Sequence, residues 1–363
     1  MKLVSVDRLI PGMVVSENIY TFDDRLVLQK GTVLEEKDIQ RIKAHSLYNI
    51  FVEEEMKPVK PKEEKKTRAP ETMSYSERLR NSEGFIRFKQ HIEDNAERLE
   101  ETFKLLANDS IPLDVDKITE PVYSLFVEAG GTAGVFDMLH NLRDNSDAVY
   151  MHSLNVSLIC NTLATWMRLP KDMVHLATAS GLLHDIGKMY IPPEILNKTS
   201  ELNANEQKIM DTHVTKGYGL VKKKDIDNHI KNSILMHHEM RDGSGFPFHI
   251  GGGKIDEIAS IVTVANVYDS LTSRKTYRAP ICPFEVIAAF EEKGLDKYDT
   301  NTIMTFLSNI VNTFIANRVM LNNGKIGDII FINPDHLSRP VVKCGDEFVD
   351  LQKEKKLSIV AVI

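Results

Sequence analysis

The stretch DMVHLATASGLLHDIG, Asp172 to Gly187, decides how the rest of the chain is read. Val174, Ala177 and Leu182 recur at the spacing of one helical face, which predicts a helix. The helix closes on an imidazole and a carboxylate, His184 and Asp185, and Gly187 can then release the backbone. Adjacent helical residues point about 100° apart. Both side chains can therefore reach one metal only where the helix ends, or where two metals share the site and Asp185 bridges them.

Working outward, MHSLNVSLICNTLATWMRL, Met151 to Leu169, sets Leu154, Leu158, Ile159 and Leu163 at the same period. That pattern persists, so the expected fold class is mainly α, with a helical bundle over 81–322. Residues 1–55 instead alternate apolar and polar side chains in MVVSENIY, RLVLQKG and NIFVEE, with turns at Pro11-Gly12 and Gly31. They predict a small β-rich module holding one short helix around Ile39 and Ile42. Residues 56–80 read as a charged linker, because their Lys, Glu and Pro offer too little apolar surface to offset the entropy of ordering. Beyond them all, 323–363 carries four short candidate strands, DIIFIN, PVVKC, EFVDL and LSIVAVI, as a β-rich extension.

Composition excludes several function classes. A net charge of -7 over 363 residues gives no broad basic footprint for a DNA or RNA polymer. Cys160, Cys282 and Cys344 form no CxxC pair, which argues against a disulfide framework and a thiolate zinc site and favours a reducing cytoplasm. No run approaches the roughly 20 apolar residues of a membrane span, and the N-terminus lacks a signal-peptide core. A soluble, cytoplasmic protein without a membrane partner is expected.

Five histidines stand in ligand-like contexts: His152, His184, His213, His237 and His238. One histidine at a helix end is more often a cap or a core residue. HD followed by HH, with a further His on each flanking helix, is a stronger signal, and a bundle would bring such helix ends together. Nitrogen and carboxylate donors suit iron, manganese, zinc or nickel better than magnesium or calcium. Two such ions about 3.5 to 4 Å apart would acidify a bridging water and clamp a phosphoryl centre.

The ordered set His152, HDIGK, His213, HHE and DGSGFP, closing with VANVYDSLTSRKTYR, resembles the HD-GYP family, HD-superfamily phosphodiesterases that degrade the bacterial second messenger cyclic di-GMP. The likeness runs from about Asp147 to Arg278. It implies a helical HD-type catalytic domain whose metals are held by His152, His184, Asp185, His213, His237 and His238, with Asn266 at the last ligand position. Two divalent transition-metal ions are implied, iron or manganese ahead of zinc or nickel. Catalysis would fall to Asp185 with Lys188, whose ammonium meets substrate phosphate or the leaving group. Asp242, Gly245, Phe246 and Pro247 would border the substrate, and Lys275, Tyr277 and Arg278 would supply charge and an aromatic face.

Three departures matter. Asn266 stands where the family carries Asp and offers a carbonyl oxygen without negative charge, Phe246 replaces the tyrosine of GYP, and Lys275 replaces an arginine. A third metal is not favoured, because the turn before His152 offers Asp147 and, four residues back, Ala148. Two functions stay open. One is a phosphodiesterase opening cyclic di-GMP to pGpG through a metal-bridging hydroxide, with onward cleavage to GMP undecided. The other is a cyclic di-GMP-binding sensor that has lost turnover through Asn266 and signals through residues 1–55. An HD hydrolase of mononucleotides fits less well. A second copy of the chain or another signalling protein would be the partner of the N-terminal module.

Overall fold

In the helix Val149–Trp166, residues 151–154 and 156–164 are all buried, the mark of a helix enclosed on every side rather than one lying on a surface. The computed structural model describes residues 2–6, 9–20, 26–34, 38–39, 42, 49–53, 74–142, 149–274 and 278–363, in two units, Met1–Thr72 and Met73–Ile363. On this central helix of the second unit pack Lys171–Leu183 and Glu257–Thr272, together with Glu83–Ala107, Val115–Glu128 and Thr132–Leu142, while Asn228–Met236 packs on Lys171–Leu183 and Glu257–Thr272. Two buried polar contacts join the central crossing: Ser157 Oγ donates to Thr178 O at 2.6 Å and Asn161 Nδ2 to Thr178 Oγ1 at 2.9 Å.

The first unit is small and β-rich. Strand β1 (Lys2–Ser5) pairs antiparallel with β4 (Asn49–Val52), and β2 (Ile19–Tyr20) with β3 (Leu26–Leu28). Its core gathers Val6, Val15, Ile19, Val27, Leu34, Ile50 and Val52 with the expected helical pair Ile39 and Ile42.

Two boundaries differ from the sequence reading. Residues 75–80, placed in the linker, form a helix, because Ser74 and Glu77 build a capping box: Ser74 Oγ accepts Glu77 N at 3.2 Å and Glu77 Oε2 accepts Ser74 N at 2.6 Å. The rest of the expected linker, 56–73, lies outside the described residues. At the other end the sheet begins at Arg318, not 323. Strands β5 (Arg318–Leu321), β6 (Ile326–Asn333), β7 (His336–Cys344), β8 (Glu347–Asp350) and β9 (Ile359–Val362) make one antiparallel sheet in the order β8-β7-β6-β5-β9. Val319, Leu321, Ile329, Val342 and Ile359 enter the same core as the helices, and the Glu291 carboxylate of helix Pro283–Lys297 accepts Leu337 N and Ser338 N at 2.6 and 2.9 Å. The sheet is therefore an integral wall of the helical domain.

Candidate metal centre

Each candidate ligand sits where a helix begins or ends, or on the helix behind. His152 lies in the first turn of Val149–Trp166, His184 caps Lys171–Leu183, and Asp185 follows in the turn to the short 3-10 segment Ile186–Tyr190. His213 opens His213–Val221, His237 caps Asn228–Met236, and Asn266 comes from the middle of Glu257–Thr272. Gly187 lets these ends meet: a Cβ there would lie 1.8 Å from His213 O and 2.5 Å from Gly217 N. Only glycine admits that backbone contact, and the contact draws His213 beside Asp185.

Backbone carbonyls aim three of the rings. His184 Nδ1 bonds Gly181 O at 2.8 Å, His213 Nδ1 bonds Met210 O at 2.7 Å, and His237 Nδ1 bonds Ile234 O at 3.1 Å, each three residues upstream. A carbonyl only accepts, so each Nδ1 carries the hydrogen and each Nε2 of the neutral ring keeps its lone pair. His152 is aimed instead by a carboxylate, Asp269 Oδ2, at 2.7 Å from its Nδ1; Asn155 Nδ2 and Ser273 Oγ in turn donate to Asp269 Oδ1 at 3.2 and 3.1 Å.

The Nε2 atoms converge in two groups around one carboxylate. His152, His184 and Asp185 make one cluster and His213, His237 and His238 the other, each with ligand atoms within 4.8 Å of one another. Asp185 Oδ2 lies 3.7 Å from His152 Nε2 and 3.2 Å from His184 Nε2; its Oδ1 lies 3.3 Å from His213 Nε2 and 3.7 Å from His237 Nε2. One carboxylate oxygen faces each cluster, as a bridging ligand requires.

Lone pairs face one another here. His213 Nε2 stands 3.3 Å from His237 Nε2, and His152 Nε2 stands 3.0 Å from Asn266 Oδ1. His184 Nε2 and Asp185 Oδ1 are buried without a hydrogen-bond partner. Acceptors crowd like this only around a proton or a cation, so the donor set fits two metal positions. The protonation states agree. Burial pushes His237 and His238 well below the ordinary imidazole value and brings His213 down to about 4. Burial opposes ionisation of Asp185, yet His184 and Lys188 hold its pKa well below the usual carboxylate range. Neutral imidazoles and an ionised carboxylate are what a divalent ion needs.

Residues 138–302 match the family model described as HD domain. That match agrees with the HD-GYP resemblance read from the motifs. The chain is 31% identical over 206 residues to a cyclic di-GMP phosphodiesterase of Pseudomonas aeruginosa, covering 56% of this chain and 50% of that protein. It is 32% identical over 151 residues to a 3′3′-cGAMP-specific phosphodiesterase of Vibrio cholerae, covering 41% and 35%. With a cyclic di-GMP phosphodiesterase of Thermotoga maritima it shares 30% over 175 residues, covering 48% and 47%. The chain thus spans half or less of the length of these curated relatives.

The residues expected on the substrate side fall into distinct places. Lys188 Nζ lies 2.5 Å from Asp185 Oδ2, at the rim of the centre. Arg278 donates to Ser270 O at 2.6 Å, and Ser270 Oγ bonds Asn266 Oδ1 at 3.2 Å, so the guanidinium is tied to the helix that carries Asn266. Lys275 and Tyr277 lie outside the described residues, as do Asp147 and Ala148. Asp242 is exposed and turns the chain, its Oδ1 accepting Ser244 N at 2.9 Å and Ser244 Oγ at 2.6 Å. Gly245 permits a close approach, but to the HHE backbone: a Cβ would meet His238 O at 2.3 Å and Met240 N at 2.4 Å. Pro247 follows Phe246 on the partly buried side of that loop.

Two carboxylates left without a role by the sequence acquire one. Glu239, 1% exposed, accepts Phe248 N at 2.7 Å and Ile250 N at 3.2 Å, so its carboxylate pins the loop. Asp269 serves His152 across 117 positions of sequence. The only local hint was its place one turn after Asn266.

Proposed function

We propose that this chain carries an HD-GYP domain and that the domain is a metal-dependent phosphodiesterase that opens cyclic di-GMP to linear pGpG. The observation that carries the reading is the convergence of imidazole nitrogens and carboxylate oxygens on two positions joined by Asp185, with His184 Nε2 and Asp185 Oδ1 buried and without a hydrogen-bond partner among the described residues. His152, His184, Asp185 and Asn266 would hold one ion, and His213, His237, His238 and Asp185 the other, with iron or manganese the preferred metals. When bound, the pair supplies an acidified water and positive charge for the phosphoryl oxygens. The chain's own contribution is positional. Backbone carbonyls and Asp269 fix the imidazole tautomers, Asp185 stays ionised between the clusters, and Lys188 stands beside it to meet charge developing on a phosphate oxygen. Arg278 adds a guanidinium for the second phosphate.

Purified protein loaded with Mn or Fe should convert cyclic di-GMP to pGpG, followed by chromatography of the nucleotides. A His184→Ala, Asp185→Ala variant should not. Wild type giving no more product than that variant would overturn the reading. Because relatives carry names for both cyclic di-GMP and 3′3′-cGAMP, the assay offers both dinucleotides.

A second reading rests on Asn266, a neutral amide 3.0 Å from His152 Nε2. In that reading the domain binds cyclic di-GMP without turning it over and reports through residues 1–55 to a second copy or another signalling protein. Tight binding with no product in the same assay would favour it.

A further inference from the structure

His238 is held differently from the other four histidines. His152, His184, His213 and His237 each have the Nδ1 tied to a carboxylate or carbonyl oxygen, whereas among the described residues no hydrogen bond holds the His238 ring. What holds it is a face: Phe246 stacks on His238 with ring centroids 4.5 Å apart and planes 16° from parallel. His213 and His237 meet the same ring at 90° and 46°, at 5.2 and 4.3 Å, so Phe246 is the one of its three ring neighbours that lies nearly parallel to it.

The loop is built to deliver that phenyl ring. Gly245 lets the backbone close onto the HHE turn, Phe246 N donates to His238 O at 3.1 Å, and the buried Glu239 carboxylate holds Phe248 N and Ile250 N from beneath. Each contact lies between the HHE turn and the GFP loop, and together they fix Phe246 against His238.

We propose that Phe246 is a positioning residue of the tri-histidine metal position, orienting His238 by stacking in the role that a hydrogen bond plays for the other four rings. This rests on the metal-centre reading above. It moves Phe246 from the border of the substrate to the support of a ligand, and it explains why an aromatic ring without a hydroxyl suffices there. A flat face restricts the tilt of a facing ring, and a ligand ring left free to rock loses affinity through the lost preorganisation.

Cobalt titration of the metal-free protein, followed by the visible d–d bands and by competition with a chelator, tests this. Phe246→Ala should weaken the tighter of the bound cobalt ions about three- to tenfold and alter the band shape. Phe246→Leu, which keeps bulk without a flat face, should behave like the alanine variant. Phe246→Tyr should restore both readouts. Phe248→Ala, removing an exposed ring of the same loop while its backbone bond to Glu239 persists, should change neither. Circular dichroism and the melting temperature of the metal-free variants separate misfolding from lost positioning. Equal cobalt affinity and spectra for wild type, Phe246→Ala and Phe246→Leu would overturn the inference while leaving the metal centre intact. A wild type that takes up no cobalt would remove the centre, and this inference with it.

Discussion

Replacing Asn266 by aspartate should move stability in opposite directions with and without metal. The side chain is 5% exposed, and its Oδ1 shares His152 Nε2 with Asp185 at 3.0 and 3.7 Å. In metal-free protein a second carboxylate sharing that imidazole with Asp185 meets a repulsion of about 3 kcal/mol, for a separation of about 6 Å and an effective dielectric near 20. Burying it adds to that cost, so the melting temperature in chelator should fall by about 5 °C or more. With a divalent ion in place, the gross attraction at 4 Å is about 8 kcal/mol on the same footing. After repulsion and desolvation, about 2 to 4 kcal/mol remains, which is roughly a hundredfold in affinity. Differential scanning fluorimetry in chelator and in excess manganese, with calorimetric metal titration, measures both arms. Asn266→Asp melting like wild type in chelator and binding metal no tighter would show that this position does not face the ion.

Other perturbations test the supports of the site. Gly187→Ala forces a Cβ to 1.8 Å from His213 O and should cost about 3 kcal/mol or more in a urea titration, whereas Gly219→Ala, with open space around it on the same neighbouring helix, should be neutral or stabilising by about 0.5 to 1 kcal/mol. Lys188→Met should leave metal uptake in place and lower turnover of cyclic di-GMP about a hundredfold, measured at saturating substrate. Asp137, raised to about 6 by burial despite the hydrogen bond from Tyr75, holds its proton in the fold at pH values where the unfolded chain has released it. Its contribution is therefore full below about pH 4 and lost as pH rises to 6, so Asp137→Asn should stabilise the protein by about 1 to 2 kcal/mol at pH 8 and leave it unchanged at pH 4.

Much of the centre was legible because its chemistry is written locally. HD at the end of an apolar helix and HH at the end of another name the donors, and helical spacing says that they sit at element ends. The carbonyl three residues before His184, His213 and His237 is local too, so the tautomers follow once helical geometry is granted. Other assignments could not be made that way. Glu239 stands beside His237 and His238 in the sequence, but its bonds to Phe248 N and Ile250 N depend on a loop returning after nine and eleven residues. The β-rich tail read as an appendage, because strand alternation does not say what the apolar face covers.

The sequence by itself determined that this is a mainly helical domain carrying five candidate histidine ligands and one candidate bridging carboxylate, with a neutral amide where a charge is expected. Donor identity and helical period are properties of single residues and near neighbours. The tertiary structure decided how they are shared out: His152 and His184 to one oxygen of Asp185, His213 and His237 to the other, Asp269 behind His152, and Phe246 against His238. Those pairings join helices separated by up to 117 positions, and they arise from backbone contacts such as Gly187 on His213, which packing alone brings about.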